Sequence, residues 1–354
     1  MKSLPILDEH VRNSPKAEEA APIDPARRQL LKVALGTLAL GALPASAVGC
    51  AKSSDDDSNS AGSEEFAESG RPIGAPISDS RIPIFWIESG VCTGCAVSLL
   101  GSMDPTIETV LPLLRLEFQE TLMDRSTPKE ADRLLENSAS LANQYILIVD
   151  GTIPSGPTAS TTTLGVTADG YELTAQDLVT QLAQRATAIL ALGTCASFGG
   201  VAAAAPNPAN HRPLVDFVPK GKPLIRLPGC PPHPGWIIEV LQLLLTKGTS
   251  GLDLDALARP TSIFGGFVHD ICSRREAYEN GDFAESVGDP SRCFFGVGCK
   301  GPQTSADCPK RRWGAQSTCI ESNHPCIGCA APGFPDARSD AGDEGLVAMS
   351  PIYT

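Results

Sequence analysis

The cysteines constrain this chain more than any other feature in it. Twelve occur in 354 residues, and four follow closely on apolar runs that read as buried strands. Arg81-Ile-Pro-Ile-Phe-Trp-Ile-Glu88 leads into Cys92-Thr-Gly-Cys95, Ala188-Ile-Leu-Ala-Leu-Gly193 into Thr194-Cys195, and Pro223-Leu-Ile-Arg-Leu-Pro228 into Gly229-Cys230. A further run, Tyr145 to Asp150, ends at Gly151. Between the runs lie helical patterns at Leu173 to Ala188 and Gly235 to Thr246, and Ala96 to Leu100 reads as the first turns of a helix. Strands alternating with helices predict an α/β fold with a parallel, doubly wound sheet. In such sheets ligands bind outside the carboxyl ends of the strands. The predicted fold therefore gathers Cys92, Cys95, Cys195 and Cys230 along one sheet edge.

The first 49 residues read as an address. Arg27-Arg28-Gln-Leu-Leu-Lys32 precedes an apolar stretch, Val33 to Val48, which is short for a membrane span of about 20 residues. This is the pattern of a twin-arginine export signal, with Ala26 where Ser or Thr is usual. Ala47-Val-Gly-Cys50 is similar to a bacterial lipobox, which makes Cys50 the lipidated first residue and the membrane anchor. Residues 50–80, with their Asp55-Asp56-Asp57 run, lack the apolar surface to fold and read as a flexible tether. The expected location is periplasmic, on the membrane. Disulfides are the usual fate of cysteines in exported proteins, but the twin-arginine route carries proteins already folded, often around a cofactor, and so points to metal.

Beyond about Gly251 the strand pattern stops. The expected division is a leader at 1–49, a tether at 50–80, a doubly wound domain at 81–250 and a loop-rich domain at 251–354. Seven cysteines fall in the last part, as His269-x2-Cys272, Cys293-x5-Cys299, Cys308, Cys319 and Cys326-x2-Cys329. A region this rich in Gly, Pro and Asp needs staples, because its apolar burial alone is marginal. With Cys50 assigned to lipid, eleven cysteines and His269 make twelve ligands, the number that three [4Fe–4S] clusters require at four each. A disulfide framework strands one of the eleven. Structural zinc suits Cys-x2-Cys pairs but not Cys195 and Cys230 behind buried strands. His233 reads as structural, His324 as a support beside Cys326, and Lys310-Arg311-Arg312-Trp313 as a solvated or interface patch. The net charge of −13 argues against nucleic acid, which rewards clustered Lys and Arg.

Cys92-Thr-Gly-Cys95, Gly193-Thr-Cys195, Pro228-Gly-Cys230-Pro-Pro-His-Pro, Gly298-Cys299-Lys-Gly-Pro and Pro325-Cys326-Ile-Gly-Cys329 together resemble the small subunit of periplasmic nickel–iron hydrogenases, in order from about Ile82 to Asp336. The resemblance implies a flavodoxin-like domain holding a proximal [4Fe–4S] cluster on Cys92, Cys95, Cys195 and Cys230. It implies a distal [4Fe–4S] cluster on His269, Cys272, Cys293 and Cys299, and a medial cluster between them on Cys308, Cys326 and Cys329. In most of the family the medial cluster is [3Fe–4S] and a proline stands where this chain has Cys319. A fourth ligand there completes a [4Fe–4S] cluster, as in the nickel–iron–selenium subgroup; without Cys319 the medial cluster is [3Fe–4S]. The two extra proximal cysteines of oxygen-tolerant members correspond to Gly94 and Gly200. No motif here binds nickel with iron, so the family places that site, and the catalytic residues, on a separate large subunit. The expected role is to relay electrons between that subunit and a multihaem cytochrome c or a membrane acceptor. A free-standing periplasmic iron–sulfur carrier is the alternative.

Overall fold

The computed structural model describes residues 81–122, 130–314 and 316–335. Its centre is a five-stranded parallel sheet formed by β1 (Pro83–Glu88), β2 (Arg115–Gln119), β3 (Ile146–Asp150), β4 (Ala188–Leu192) and β5 (Leu224–Leu227). The spatial order is β2-β1-β3-β4-β5, the doubly wound order whose winding reverses between β1 and β3. Four of the five strands coincide with the apolar runs of the sequence. The exception is Arg115-Leu-Glu-Phe-Gln119 at the sheet edge, where polar Arg115, Glu117 and Gln119 alternate with apolar Leu116 and Phe118.

The inner strands are apolar throughout because both faces are covered. Successive side chains point to opposite faces. Ile84, Trp86, Ile146, Ile148, Leu190 and Leu192 enter one core, and Phe85, Ile87, Leu147, Val149, Ile189 and Ala191 enter the other. The second core is closed by α3 (Ala175–Arg185) through Leu178, Val179 and Leu182, after α1 (Gly94–Leu100) and α2 (Glu130–Ser140) in the chain. Thr174 caps α3 by accepting the Asp177 N–H at 3.1 Å, one of the donors a helix start leaves unpaired.

The first core is covered by α5 (Pro234–Lys247), which follows the short α4 (Gly193–Phe198). Trp236, Ile237, Val240, Leu241 and Leu244 of α5 are buried there, and so are Phe264, Val268, Phe294, Ile320 and Ala330 from beyond residue 251. The loop-rich part thus completes the sheet's own core. After α5 the described residues form no further paired strands, only short helical turns and isolated bridges. Among the described residues no helix is long and apolar enough to cross a membrane.

Candidate functional site

Glu88, Asp150, Leu192 and Leu227 form one in-register row where β1, β3, β4 and β5 end. The loops carrying four cysteines leave from this row. Cys95 is buried in the first turn of α1, Cys195 sits in α4, and Cys92 and Cys230 are exposed. Burial, with Cys230, Asp150 and Cys92 nearby, pushes the Cys195 thiol up to about 11. Burial also raises Cys230, helped by Cys92 and Asp150, and raises Cys95 with contributions from Asp150, Cys195 and Cys230. The sequence-predicted quartet therefore shares one neighbourhood.

Glycines let the backbone close on these sulfurs. A Cβ on Gly193, at φ +83°, would lie 2.6 Å from Cys95 Sγ, and one on Gly200, at φ +50°, 3.0 Å from Cys195 Sγ. A Cβ on Gly94 would lie 3.2 Å from Cys92 Sγ. Gly94 and Gly200 thus both abut the quartet.

An acidic group borders it that the sequence did not reveal. Asp150 is 1% exposed, and burial pushes its carboxyl up to about 7, with the Cys95 thiol opposing and Glu88 assisting. The Glu88 N–H donates to Glu120 Oε2 at 3.0 Å. Burial raises Glu120 to about 8, assisted by the Glu88 and Asp150 charges against two backbone hydrogen bonds. Only pairing across the sheet end brings these three carboxyls together, so no local pattern announces them.

His269, Cys272, Cys293 and Cys299 line a second recess of ≈ 310 Å³, walled by Phe294, Phe295 and Ile320. Burial and the neighbouring Arg275 hold the His269 pKa below its ordinary value, against the pull of Asp270 and Glu279. This favours the neutral imidazole, the form that ligates metal. The Arg274 N–H donates to Cys272 Sγ at 3.4 Å. Burial raises Cys272 and Cys299, while N–H groups of Gly301 and Cys326 pull Cys299 back.

Cys308, Cys319, Cys326 and Cys329 line a third recess of ≈ 560 Å³, walled by Trp236, Val268, Ile320 and Ala330. Burial pushes Cys308 up to about 12 with Cys329, Cys319 and Asp307 adding. It pushes Cys329 up to about 11, and Cys326 well above the ordinary thiol value. Cys319 sits at the exposed rim of this recess, its thiol also raised by burial.

The third recess is tied to both others through the Cys326-Ile-Gly-Cys329 loop. At one end the Thr194 hydroxyl donates to the Cys329 carbonyl, and the Cys230 N–H counters the rise of the Cys329 thiol. At the other end the Lys300 N–H donates to the Cys326 carbonyl at 2.7 Å, and Cys299 and Cys326 influence each other's ionisation. Trp236 Nε1–H donates to Asp307 Oδ1 at 2.5 Å, fixing the residue before Cys308 onto α5. His233 proves structural: its Nδ1 accepts the Gly235 N–H at 3.0 Å, and its Nε2 bonds the Arg312 carbonyl at 3.0 Å. Arg311 pairs with Asp307 and Glu239, and Arg312 with Glu321. His324 Nδ1 bonds the Pro325 carbonyl at 2.8 Å.

All eleven cysteines from Cys92 to Cys329 are free thiols. Among the described residues no three His, Cys, Asp or Glu side chains come close enough to grip a single metal ion, whereas zinc needs its thiolates all about 2.3 Å from one point. The distal and medial quartets line open recesses. Thiols with one neutral imidazole, apolar walls and N–H groups directed at sulfur are the donor set of iron–sulfur cages. Cys50, the twin-arginine segment and the tether lie outside the described residues.

Comparison with known proteins adds the following. Residues 264–341 match the family described as the C-terminal part of the NiFe/NiFeSe hydrogenase small subunit. Residues 92–244 match the NADH ubiquinone oxidoreductase 20 Kd subunit family. The chain is 35% identical over 273 residues to the periplasmic [NiFeSe] hydrogenase small subunit of Desulfomicrobium baculatum, covering 73% of this chain and 86% of the relative. It is 35% identical over 263 residues to the quinone-reactive Ni/Fe-hydrogenase small chain of Wolinella succinogenes, covering 72% of each. The fold superimposes on a chain of the reduced, active Ni-Fe-Se hydrogenase from Desulfomicrobium baculatum with a TM-score of 0.68, covering 73% of this chain and 98% of that one.

Proposed function

This chain belongs to the nickel–iron hydrogenase small-subunit family, and from that premise we propose that it relays electrons through three [4Fe–4S] clusters between the nickel–iron large subunit and an external acceptor. The proximal site takes Cys92, Cys95, Cys195 and Cys230, and lies in residues 81–250. The medial site takes Cys308, Cys319, Cys326 and Cys329, and the distal site His269, Cys272, Cys293 and Cys299, both in residues 251–354. Bound there, such clusters supply reversible one-electron transfer.

The observation that carries this reading is the position of the Cys326–Cys329 loop, bonded at one end to the proximal segment and at the other to the distal one. The medial recess is thus joined to the proximal quartet on one side and to the distal recess on the other. Apolar side chains wall the medial recess, and N–H groups directed at sulfur favour the thiolate form. Cys92 and Cys230 are exposed in this chain, with Val97 and Val201 also exposed close by in sequence to Cys95 and Cys195. That face suits the large subunit, whose contact would cover it.

The opposite end suits an acceptor. His269 is half-buried, and Phe267, Ile271, Phe283 and Val287 are exposed near it in the chain. Asp270, Glu279, Asp282 and Glu285 on the same segment are largely solvated and pair with Arg275 or Arg292, yet residues 267–292 hold six acidic side chains against three arginines. An apolar centre with an acidic rim favours a basic partner that presents an exposed cofactor edge, hence a multihaem cytochrome c, with a membrane-bound acceptor as the other outcome. Periplasmic relatives and the Arg27-Arg28 leader support work in the periplasm, with lipid on Cys50 anchoring the complex to the membrane.

The test is iron and acid-labile sulfide per chain in the anaerobically co-purified heterodimer, with low-temperature EPR before and after reduction. About twelve irons at four per cluster support three [4Fe–4S] clusters. One fewer, with a sharp oxidised-state signal, removes Cys319 from the ligand set. No iron overturns the reading.

A further inference from the structure

His269 differs from the other described histidines in how its ring is held. His211 bonds Thr152 Oγ1 through Nδ1 at 2.8 Å, His233 uses both ring nitrogens, and His324 bonds the Pro325 carbonyl. Among the described residues no hydrogen bond sets the His269 ring, whose ionisation is governed by burial and neighbouring charges alone. A histidine that ligates metal normally has its other ring nitrogen hydrogen-bonded, which fixes both tautomer and orientation.

Aromatic packing occupies that role here. The Tyr278 ring meets His269 nearly perpendicular, with centroids 4.4 Å apart and planes at 81°. Tyr278 is itself boxed in. Phe295 lies 5.2 Å from it at 75°, Phe283 5.9 Å away at 70°, and the two phenylalanines touch each other at 5.7 Å. The Arg275 guanidinium covers Tyr278 at 5.9 Å, and the Tyr278 N–H donates to the Arg274 carbonyl at 3.2 Å. Edge-to-face contacts between rings are directional, so this box leaves the imidazole one preferred plane. Phe283 is 37% exposed, so the box also runs from His269 to the surface.

We infer that Tyr278 is a positioning residue that orients the His269 imidazole toward the distal recess by ring packing alone. The inference rests on His269 being the distal ligand. It assigns no role to the Tyr278 hydroxyl, so Tyr278→Phe preserves the function and Tyr278→Leu removes it.

Both variants are made in the heterodimer and compared with wild type by pulsed EPR detection of nitrogen coupled to the reduced distal cluster, and by its midpoint potential. Acceptor reduction is measured beside hydrogen–deuterium exchange, which proceeds at the large subunit. Tyr278→Phe is expected to match wild type throughout. Tyr278→Leu is expected to change the nitrogen coupling, shift the potential and slow acceptor reduction about tenfold, at the low end of the loss typical for residues supporting a metal ligand, with exchange unchanged. Should the Leu variant fail to load iron, Tyr278→Met supplies comparable bulk without a ring edge. Wild-type spectra and potential in the Leu or Met variant overturn the inference, and so does a Phe variant as impaired as they are. Absence of any nitrogen coupling in wild type instead overturns the ligand reading on which the inference stands.

Discussion

The Thr194 hydroxyl donates to the Cys329 carbonyl while accepting the Gly229 N–H at 2.8 Å. One buried side chain thereby joins the residue before Cys195, the residue before Cys230 and the last cysteine of the medial recess. Its own N–H donates to the Gly229 carbonyl at 2.9 Å, so the α4 and β5 loops are clamped from two sides. Thr194→Val keeps the shape and strips both side-chain bonds. With Thr194 1% exposed, the carbonyl and N–H left behind have no access to water. The expected cost is about 1–3 kcal/mol for a buried polar group left unsatisfied, read from denaturant unfolding of the loaded heterodimer. A midpoint unchanged from wild type would show that the clamp contributes nothing.

Gly193→Ala tests the closeness of backbone and sulfur at the proximal quartet. The added Cβ would meet Cys95 Sγ at 2.6 Å in a conformation, φ +83°, that L residues rarely adopt. Neither the buried Cys95 nor the end of β4 has room to retreat. The expected outcome is loss of the proximal cluster, about four irons per chain, with the medial and distal EPR signals retained. Gly156→Ala, where a Cβ meets nothing within 4 Å although φ is also positive, separates backbone strain from the steric clash.

Much of this architecture could be read before the fold was seen, and the reason is local. Ile146 to Val149 and Ala188 to Leu192 are buried on both faces, so their apolar runs are unbroken, and Gly151, Gly193-Thr-Cys195 and Gly229-Cys230 mark where three of the segments leave the sheet. The gathering of cysteines at strand ends is legible because parallel strands place all those ends on one edge. Arg115–Gln119 was not legible, since an edge strand has no continuous apolar run to betray it. Nor were Glu120 and Asp150, whose shared environment arises only from pairing of β1 with its two neighbours. Tyr278 is a similar case. Its contact with His269 spans nine positions of loop and one helical turn, with no periodicity to announce it.

On the proposed reading, Cys319 sets whether the medial site holds four irons or three. It stands at the rim of the recess, where Cys308 and Cys329 both register its charge. Cys319→Ser removes a thiolate while leaving an exposed side chain of nearly the same size, so the fold should be undisturbed. The expected result is one iron fewer per chain, a [3Fe–4S] signal in the oxidised enzyme and a higher medial midpoint potential. Retention of all iron with no new signal in Cys319→Ala as well, whose side chain has no donor to take the place of the sulfur, would exclude Cys319 as a ligand.

The buried carboxyls give the stability a definite pH dependence. Glu120 has its pKa raised from 4.5 to about 8 and Asp150 from 3.8 to about 7, burial being the largest cause for each. Both are protonated in the folded chain across a range where the unfolded chain has released the proton. The folded state therefore binds more protons, and its stability is greatest below the ordinary carboxyl range and falls as pH rises toward 8. Glu120→Gln fixes one of the two groups in its neutral shape. Between pH 6 and pH 8 wild type should lose about 2 kcal/mol more than this variant, since a displaced titration costs about 1.4 kcal/mol per pH unit while the two states differ by one proton. Unfolding of the loaded heterodimer in denaturant at the two pH values measures the difference. Iron per chain, counted at both pH values, separates loss of clusters by thiol protonation from the carboxyl effect. Parallel losses in wild type and Glu120→Gln would mean that Glu120 titrates as an ordinary carboxyl, ionised at the end of the sheet with solvent or a partner beside it.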